Sequence, residues 1–246
     1  MIQNQKKSQT IKFPIRINHY MALQNYCSRR EADGFVEQGF VKINGKTARV
    51  GDRVKKDDKV EFSKAGSGRV LRYFIYNKPK GIITHSPQGT QQAIKETAKF
   101  PKDVFPVGRL DLDSHGLLVM TNDGRITAPL LEPEYNHEKE YRVGVDKNLT
   151  GTFLKKMQSG VRLVGAGGGY ITKPCKIKTV NERSFDIILT EGKKHQIRRM
   201  CSALNYQVRD LLRTRIMGLR LGTLKSGESR EVLGTELKSF LKTLGL

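Results

Sequence analysis

Residues 108–124, GRLDLDSHGLLVMTNDG, constrain the fold more than any other stretch. An arginine and a short acidic loop run straight into a five-residue apolar strand, 117–121, which Asn122-Asp123-Gly124 closes. A short apolar run bounded by turn residues reads as a strand buried inside a sheet. A carboxylate at the lip of such a strand, with a cation beside it, is a common way to hold an ionised side chain ready for chemistry. Asp111, two residues after Arg109, is therefore the first residue to explain. Ordinary turn chemistry is the plainer reading of both. Asp111, Asp113, His115 and Gly116 also imitate the start of a calcium loop, but the twelfth position is Asn122 where a bidentate Glu belongs, and the flanks are strand-like.

The charge balance indicates what such a carboxylate works on. With 45 Lys and Arg against 24 Asp and Glu, the 246-residue chain carries a formal charge of +21 and a pI near 10.0, a footprint suited to a polyanion. Nucleic acid is the expected partner. A membrane surface fits less well, because the basic residues are spread through segments that read as folded and no apolar run approaches the ~20 residues a span requires. The first fifteen residues hold two adjacent lysines and no apolar h-region, so they do not read as a secretory signal, and a cytoplasmic protein is expected. Cys27, Cys175 and Cys201 are odd in number, far apart and without a CxxC pair, which fits reduced thiols. Neither they nor the scattered histidines have the spacing of a zinc site, and no metal or other cofactor is expected.

At 37% hydrophobic content the chain can bury one good core and a small satellite. Residues 1–15 are expected to be a flexible N-terminus. A small unit is expected over 16–63. There Ile17, Tyr20 and Met21 line one side of a short helix, and Ser28-Arg29-Arg30-Glu31 is a capping box opening a second helix with Ala32, Phe35 and Val36 inward. Gly39 ends that helix, and strands at 40–43 and 60–62 follow, with Asn44-Gly45 as a tight turn. Residues 64–72, KAGSGRVLR, read as a linker. Over 73–246, strands are expected at 73–76, 117–121, 141–145, 176–180 and 185–189, and helices at 150–159, 195–204 and around 237–244. Residues 77–81, NKPKG, read as a basic turn. Strands outnumber helices and rarely alternate with them, so an α+β architecture is expected: a mixed, mainly antiparallel sheet with peripheral helices.

Basic residues gather at three places. Arg29 and Arg30 stand at a helix N-terminus, where backbone amides already favour an anion; solvated caps are the bland reading. Lys78 and Lys80 lie in the basic turn. Between Lys193 and Arg220 there are eight Lys or Arg against the single acid Asp210, and Lys193, Lys194, Arg199 and Arg213 in this stretch are candidate RNA contacts. EGKKHQIRR, at 191–199, opens a helix there whose buried stripe is Ile197, Met200, Cys201 and Leu204. That helix is either plain contact surface for nucleic acid or the carrier of one arginine to a buried carboxylate.

The two constellations together carry a resemblance. GRLDLDSHGLLVMTNDG, HEKEYRV at 137–143, EGKKHQIRRM at 191–200 and Leu211-Leu212-Arg213 resemble the RsuA/RluB/RluE/RluF family of RNA pseudouridine synthases. CSRREAD at 27–33 and VKINGK at 41–46 resemble the S4-like RNA-binding domain that most of these enzymes carry. The resemblance implies that Asp111 is the catalytic carboxylate, Tyr141 the aromatic that stacks on uracil, and Arg198 the basic partner that keeps Asp111 ionised. It also implies that Leu211 lines the pocket floor, that Arg109 enters the RNA stack, and that His195 and Lys139 meet the substrate. Asp113 is then loop structure, and His115 is a variation where Gln or Glu is common.

HEKEY, TKPCKIK at 172–178 and RTRIM at 213–217 look closest to the RluF branch. That branch implies modification of a uridine of 23S ribosomal RNA near the peptidyl-transferase centre, position 2604, and action on a tyrosine tRNA anticodon loop; a monomer is expected. The chemistry needs no cofactor, because isomerisation changes no redox state and loses no group. Two other classes compete: a catalytically silent RNA-binding or ribosome-assembly protein, and a DNA-binding regulator. The first would be favoured by loss of Asp111, Tyr141 or Arg198, all present; the second wants a helix-turn-helix that the first two helices only weakly imitate.

Overall fold

The computed structural model describes residues 13–24, 26–63, 70–84, 93–164 and 168–246. Residues 1–12 of the expected flexible N-terminus and 64–69 of the expected linker lie outside them. The N-terminal unit comprises β1 (Ile15–Arg16), α1 (Ile17–Leu23), α2 (Arg29–Glu37), β2 (Val41–Ile43), β3 (Lys46–Thr47), β4 (Arg53–Val54) and β5 (Val60–Phe62). The capping box forms as expected: Ser28 Oγ accepts from Glu31 N, and Glu31 Oε2 accepts from Ser28 N at 2.7 Å. Asn44 and Gly45, at φ 50° and 76°, make the tight β2–β3 turn. Ile15, one residue before the expected boundary at 16, pairs with Val54 and joins Ile17, Met21, Val36 and Val41 in a core of their own.

The remaining elements are β6 (Tyr73–Lys78), α3 (Ile94–Thr97), β7 (Phe105–Val107), β8 (His115–Thr121), α4 (Thr127–Leu131), β9 (Lys139–Val145), α5 (Gly151–Ser159), β10 (Arg162–Leu163), β11 (Tyr170–Ile171), β12 (Lys176–Asn181), β13 (Ser184–Leu189), α6 (Gln196–Ala203), β14 (Val208–Ile216), β15 (Leu219–Arg220), β16 (Ser229–Glu231) and α7 (Gly234–Thr243). A nine-stranded sheet runs β12-β13-β9-β14-β8-β6-β16, with β15 on β14 and β7 on β8. Its pairs are antiparallel except β14 with β8. The α+β architecture with a mixed sheet is thus the observed one. No helix among the described residues is long and apolar enough to cross a membrane.

Alternation sorts the strands onto two faces. Tyr73, Ile75, Leu117 and Val119 pack with Phe240 and Leu244 on one side. Phe74, Tyr76, Leu118 and Met120 point to the other, beside Ile94, Val104 and Leu110. On that second face Val143, Ile187 and Leu211 pack under α5 and α6, and Tyr141 touches both clusters. Burying the apolar run of β8 on both faces makes it a central strand, as its sequence indicates.

The strand next to it went unexpected. β14 carries Arg213 and Arg215 at positions that are 5% and 9% exposed, so its inward face is hidden among charges that would ordinarily lie on the surface. Between β14 and β8 the backbones come very close at Gly116. Its φ is +104°, and a Cβ there would lie 2.4 Å from Arg213 O and 2.8 Å from Arg213 N. Two backbone strands cannot give way as a flexible side chain would. Gly116→Ala should therefore lower the unfolding free energy by more than about 2 kcal/mol, read as a reduced urea midpoint.

Candidate active site

The loop between β7 and β8, which carries Asp111 and Asp113, is fixed by its main chain. Thr84 Oγ1 donates to Leu110 O at 2.9 Å and accepts from Leu110 N at 3.2 Å. Gly81 N donates to Leu112 O at 2.9 Å, and Ser114 N to Asp111 O at 3.1 Å. Arg213 crosses from β14, donating Nε to Leu117 O at 2.7 Å and Nη1 to Arg109 O at 3.5 Å. Its Nη2 is buried without a hydrogen-bond partner among the described residues. Asp111 stands on this loop with its side chain 41% exposed; Arg109 points to solvent.

Arg198 takes a place other than the expected one. Its Nη2 donates to Asp113 O at 3.1 Å and Ser114 Oγ at 3.5 Å, and Nη1 to Val208 O at 3.3 Å. The side chain that meets Asp111 Oδ1, at 3.3 Å, is that of His195, through Nε2. Arg198 thus grips the loop by its carbonyl while the imidazole faces the carboxylate. His195 can do this because it is the N-cap of α6 in the left-handed conformation, φ 52°. The turn before it is pinned by a buried pair the sequence reading missed: Gln196 Nε2 donates to Glu191 Oε1 at 2.5 Å, and Lys193 N to Gln196 Oε1 at 3.0 Å. The signal was present, since Glu191 is the lone acid of EGKKHQIRR.

Lys78 and Arg213, expected as RNA contacts, are corrected by burial. Asn77 and Lys78 belong to β6 and not to a basic turn. The Lys78 side chain is fully buried, and its Nζ donates to Pro79 O at 2.8 Å and Ile82 O at 2.7 Å. Burial pushes its pKa down to about 8; Asp111 opposes that shift, Arg213 adds to it, and Asp113 opposes it. Neither side chain can reach a phosphate from these positions. Arg213 anchors the loop through Arg109 O, while Lys78 anchors the turn after β6 and interacts electrostatically with Asp111.

Tyr141 and Leu211 meet on one face through β9 and β14: Tyr141 is half-buried beside Ile187 and Arg213, and Leu211 is 5% exposed beside Val143. Lys139, half-buried on the same strand, has its pKa lowered by burial first and Arg213 second. The two glutamates of HEKEY are clamps, since Arg215 donates Nε to Glu140 Oε2 at 2.6 Å and Nη2 to Glu138 Oε2 at 3.0 Å. Among the other expected RNA contacts, Arg29, Arg30 and Lys194 are exposed. Lys80 is exposed and paired with Asp210, which also bonds His115 Nε2 at 3.1 Å. Lys193 Nζ sits 3.3 Å from the Tyr170 ring centre, and Arg199 donates Nη2 to Val164 O at 3.0 Å.

The buried ammonium of Lys78 makes a pH-dependent contribution. Its folded pKa of about 8 lies below the ordinary 10.5, so the folded protein loses this proton first and stability rises with pH between those values. The difference in unfolding free energy between the wild type and Lys78→Met should climb by about 3 kcal/mol across that window in chemical denaturation. A flat difference would contradict the burial.

Comparison with known proteins follows the same outline. A family model described as RNA pseudouridylate synthase matches residues 72–203, and the S4 domain model matches residues 15–60. The chain is 40% identical to the dual-specificity RNA pseudouridine synthase RluF of Escherichia coli K12, over 94% of this chain and 79% of that protein. It is 31% identical to ribosomal large subunit pseudouridine synthase B of Bacillus subtilis, over 91% of this chain and 94% of that one. A crystal structure of a pseudouridylate synthase superposes with a TM-score of 0.67 at 26% identity, covering 94% of this chain and 99% of the other.

Proposed function

Because the chain belongs to the RNA pseudouridylate synthase family and carries an S4 domain, we propose that it isomerises a uridine of 23S ribosomal RNA near the peptidyl-transferase centre, with the tyrosine tRNA anticodon loop as a second substrate. The observation that carries this reading is Asp111: a half-exposed carboxylate on a loop pinned by Thr84, Arg198 and Arg213. The similarity to RluF favours that target over those of sibling enzymes. Residues 16–63 grip RNA in this reading, 73–246 carry out the reaction, and the enzyme works as a cytoplasmic monomer.

The reaction breaks the bond from ribose C1′ to N1, turns the uracil and joins C1′ to C5. N1 gains a proton and C5 loses one. Glycosidases use two carboxylates because an alkoxide leaves poorly and must be protonated. Uracil leaves as a delocalised anion, so one carboxylate suffices. Asp111 acts at the ribose, either as the nucleophile at C1′ or as the base that removes a ribose proton to give a glycal. Tyr141 stacks on the uracil and serves the late proton transfer at C5, with Leu211 below. Arg198 positions the Asp111 loop, and His195 sets the carboxylate's orientation. A stacked uridine hides C1′ and C5, so it is flipped out at a cost of a few kcal/mol. Arg109 fills the space it leaves, and Lys139, Lys193, Lys194 and the exposed basic residues hold the backbone.

Ribosomal RNA from cells lacking the protein should lack one carbodiimide-detectable pseudouridine, which the wild-type gene restores and Asp111→Asn does not. Restoration by the mutant would remove Asp111 from its role. Arg29 and Arg30 supply a separate test: their joint replacement by Ala should weaken RNA binding and flatten the dependence of log affinity on log salt by roughly 1 to 2 units. An unchanged slope would leave them as helix caps.

A further inference from the structure

Tyr135 ends the turn Pro133–Tyr135 and is 42% exposed. Its ring lies at 7° to that of His137, centroids 5.8 Å apart, an offset parallel stack. The turn has little freedom. Pro133 opens it, Asn136 leaves it in the left-handed conformation at φ 49°, and Asn136 Oδ1 accepts from Lys173 Nζ at 2.8 Å. The Pro129 backbone holds the His137 ring by a hydrogen bond. His137 Nε2 is buried without a partner among the described residues. Burial first, then Lys139, lowers the His137 pKa, so the imidazole is a neutral, flat support near pH 7.

The turn stands at the rim of the Asp111 loop. On one side Leu131 packs on Gly108 so closely that a Cβ there would lie 2.9 Å from Leu131 Cδ2, and Arg109 comes next. On the other, the chain runs from His137 into Lys139 and Tyr141, and four residues of extended chain span about 13 Å. That is the reach of a few nucleotides.

Resting on the reading that this cleft takes RNA, we propose that the Tyr135 ring is a stacking subsite for an unpaired nucleobase flanking the displaced uridine. Single exposed aromatic residues are ordinary. A ring propped parallel on a second ring, on a braced turn beside an RNA cleft, is a platform. A base fits it better than a phosphate does: Glu132 and Glu134 are exposed beside it and repel phosphate, whereas every base offers a π face. Exposed Lys173 and Lys176 supply the charge for the adjoining backbone.

The test uses the full chain carrying Asp111→Asn, which separates binding from turnover. The probes are RNA stem-loops from the peptidyl-transferase region and the tyrosine tRNA anticodon, with 2-aminopurine placed in turn at each unpaired position. Binding should quench at least one position. Adding Tyr135→Ala should abolish that quench and weaken binding about tenfold with an unchanged salt slope, while Tyr135→Phe and Tyr135→Trp keep both. Thermal unfolding should not move, since the side chain is exposed. A quench that survives Tyr135→Ala at every position overturns the subsite, as does an equal loss in the Phe variant. Absence of turnover by the wild type sinks the proposed activity; the Tyr135-dependent quench decides the subsite independently.

Discussion

Everything at the candidate site depends on the parallel pairing of β14 with β8. Leu212 aligns with His115 and Arg213 with Gly116, which puts a buried guanidinium directly under the loop that bears Asp111. From there Arg213 reaches Leu117 O, 96 residues away in sequence, and Arg109 O. The same strand pairs with β9 and so delivers Tyr141 beside Arg213. One pairing therefore joins three sequence motifs, and a side chain larger than hydrogen at position 116 would hold them apart.

The positive charge of the chain divides into two kinds. Lys78, Arg213 and Arg215 are buried and hold carbonyls or carboxylates. A charge taken out of water is tolerated only where such partners satisfy it: Pro79 O and Ile82 O for Lys78, Leu117 O and Arg109 O for Arg213, and Glu138, Glu140 and Met217 O for Arg215. Arg29, Arg30 and Lys194 remain in water, where they add to the long-range attraction for a polyanion. Net charge alone counts the two kinds together. That is why an RNA-binding role for Lys78 and Arg213 is a natural inference from sequence and a wrong one physically.

The same burial explains which strands were legible. β8 is apolar on both faces and reads plainly. β14 buries Leu211, Arg213 and Arg215 at alternate positions but its register shifts between Arg213 and Arg215, and two of those inward residues are arginines, so its period is masked until Glu140 is seen opposite Arg215 and Glu138 beside it. The capping box of α2 was legible because it is satisfied within three residues, and the Asn44-Gly45 turn because both residues adopt the positive φ that this pair favours.

Sequence by itself determined the local units, the order of the motifs and the α+β class, since each rests on short-range pattern, and the resemblance of its motifs pointed to the S4 domain and the RNA pseudouridylate synthase family. Tertiary structure decided who touches Asp111. Arg198 was the expected partner, yet it holds the loop's carbonyl, while His195, turned by its left-handed N-cap conformation, meets the carboxylate. That assignment hangs on strand register and on which cations are buried, and both are set by residues some eighty to a hundred positions apart.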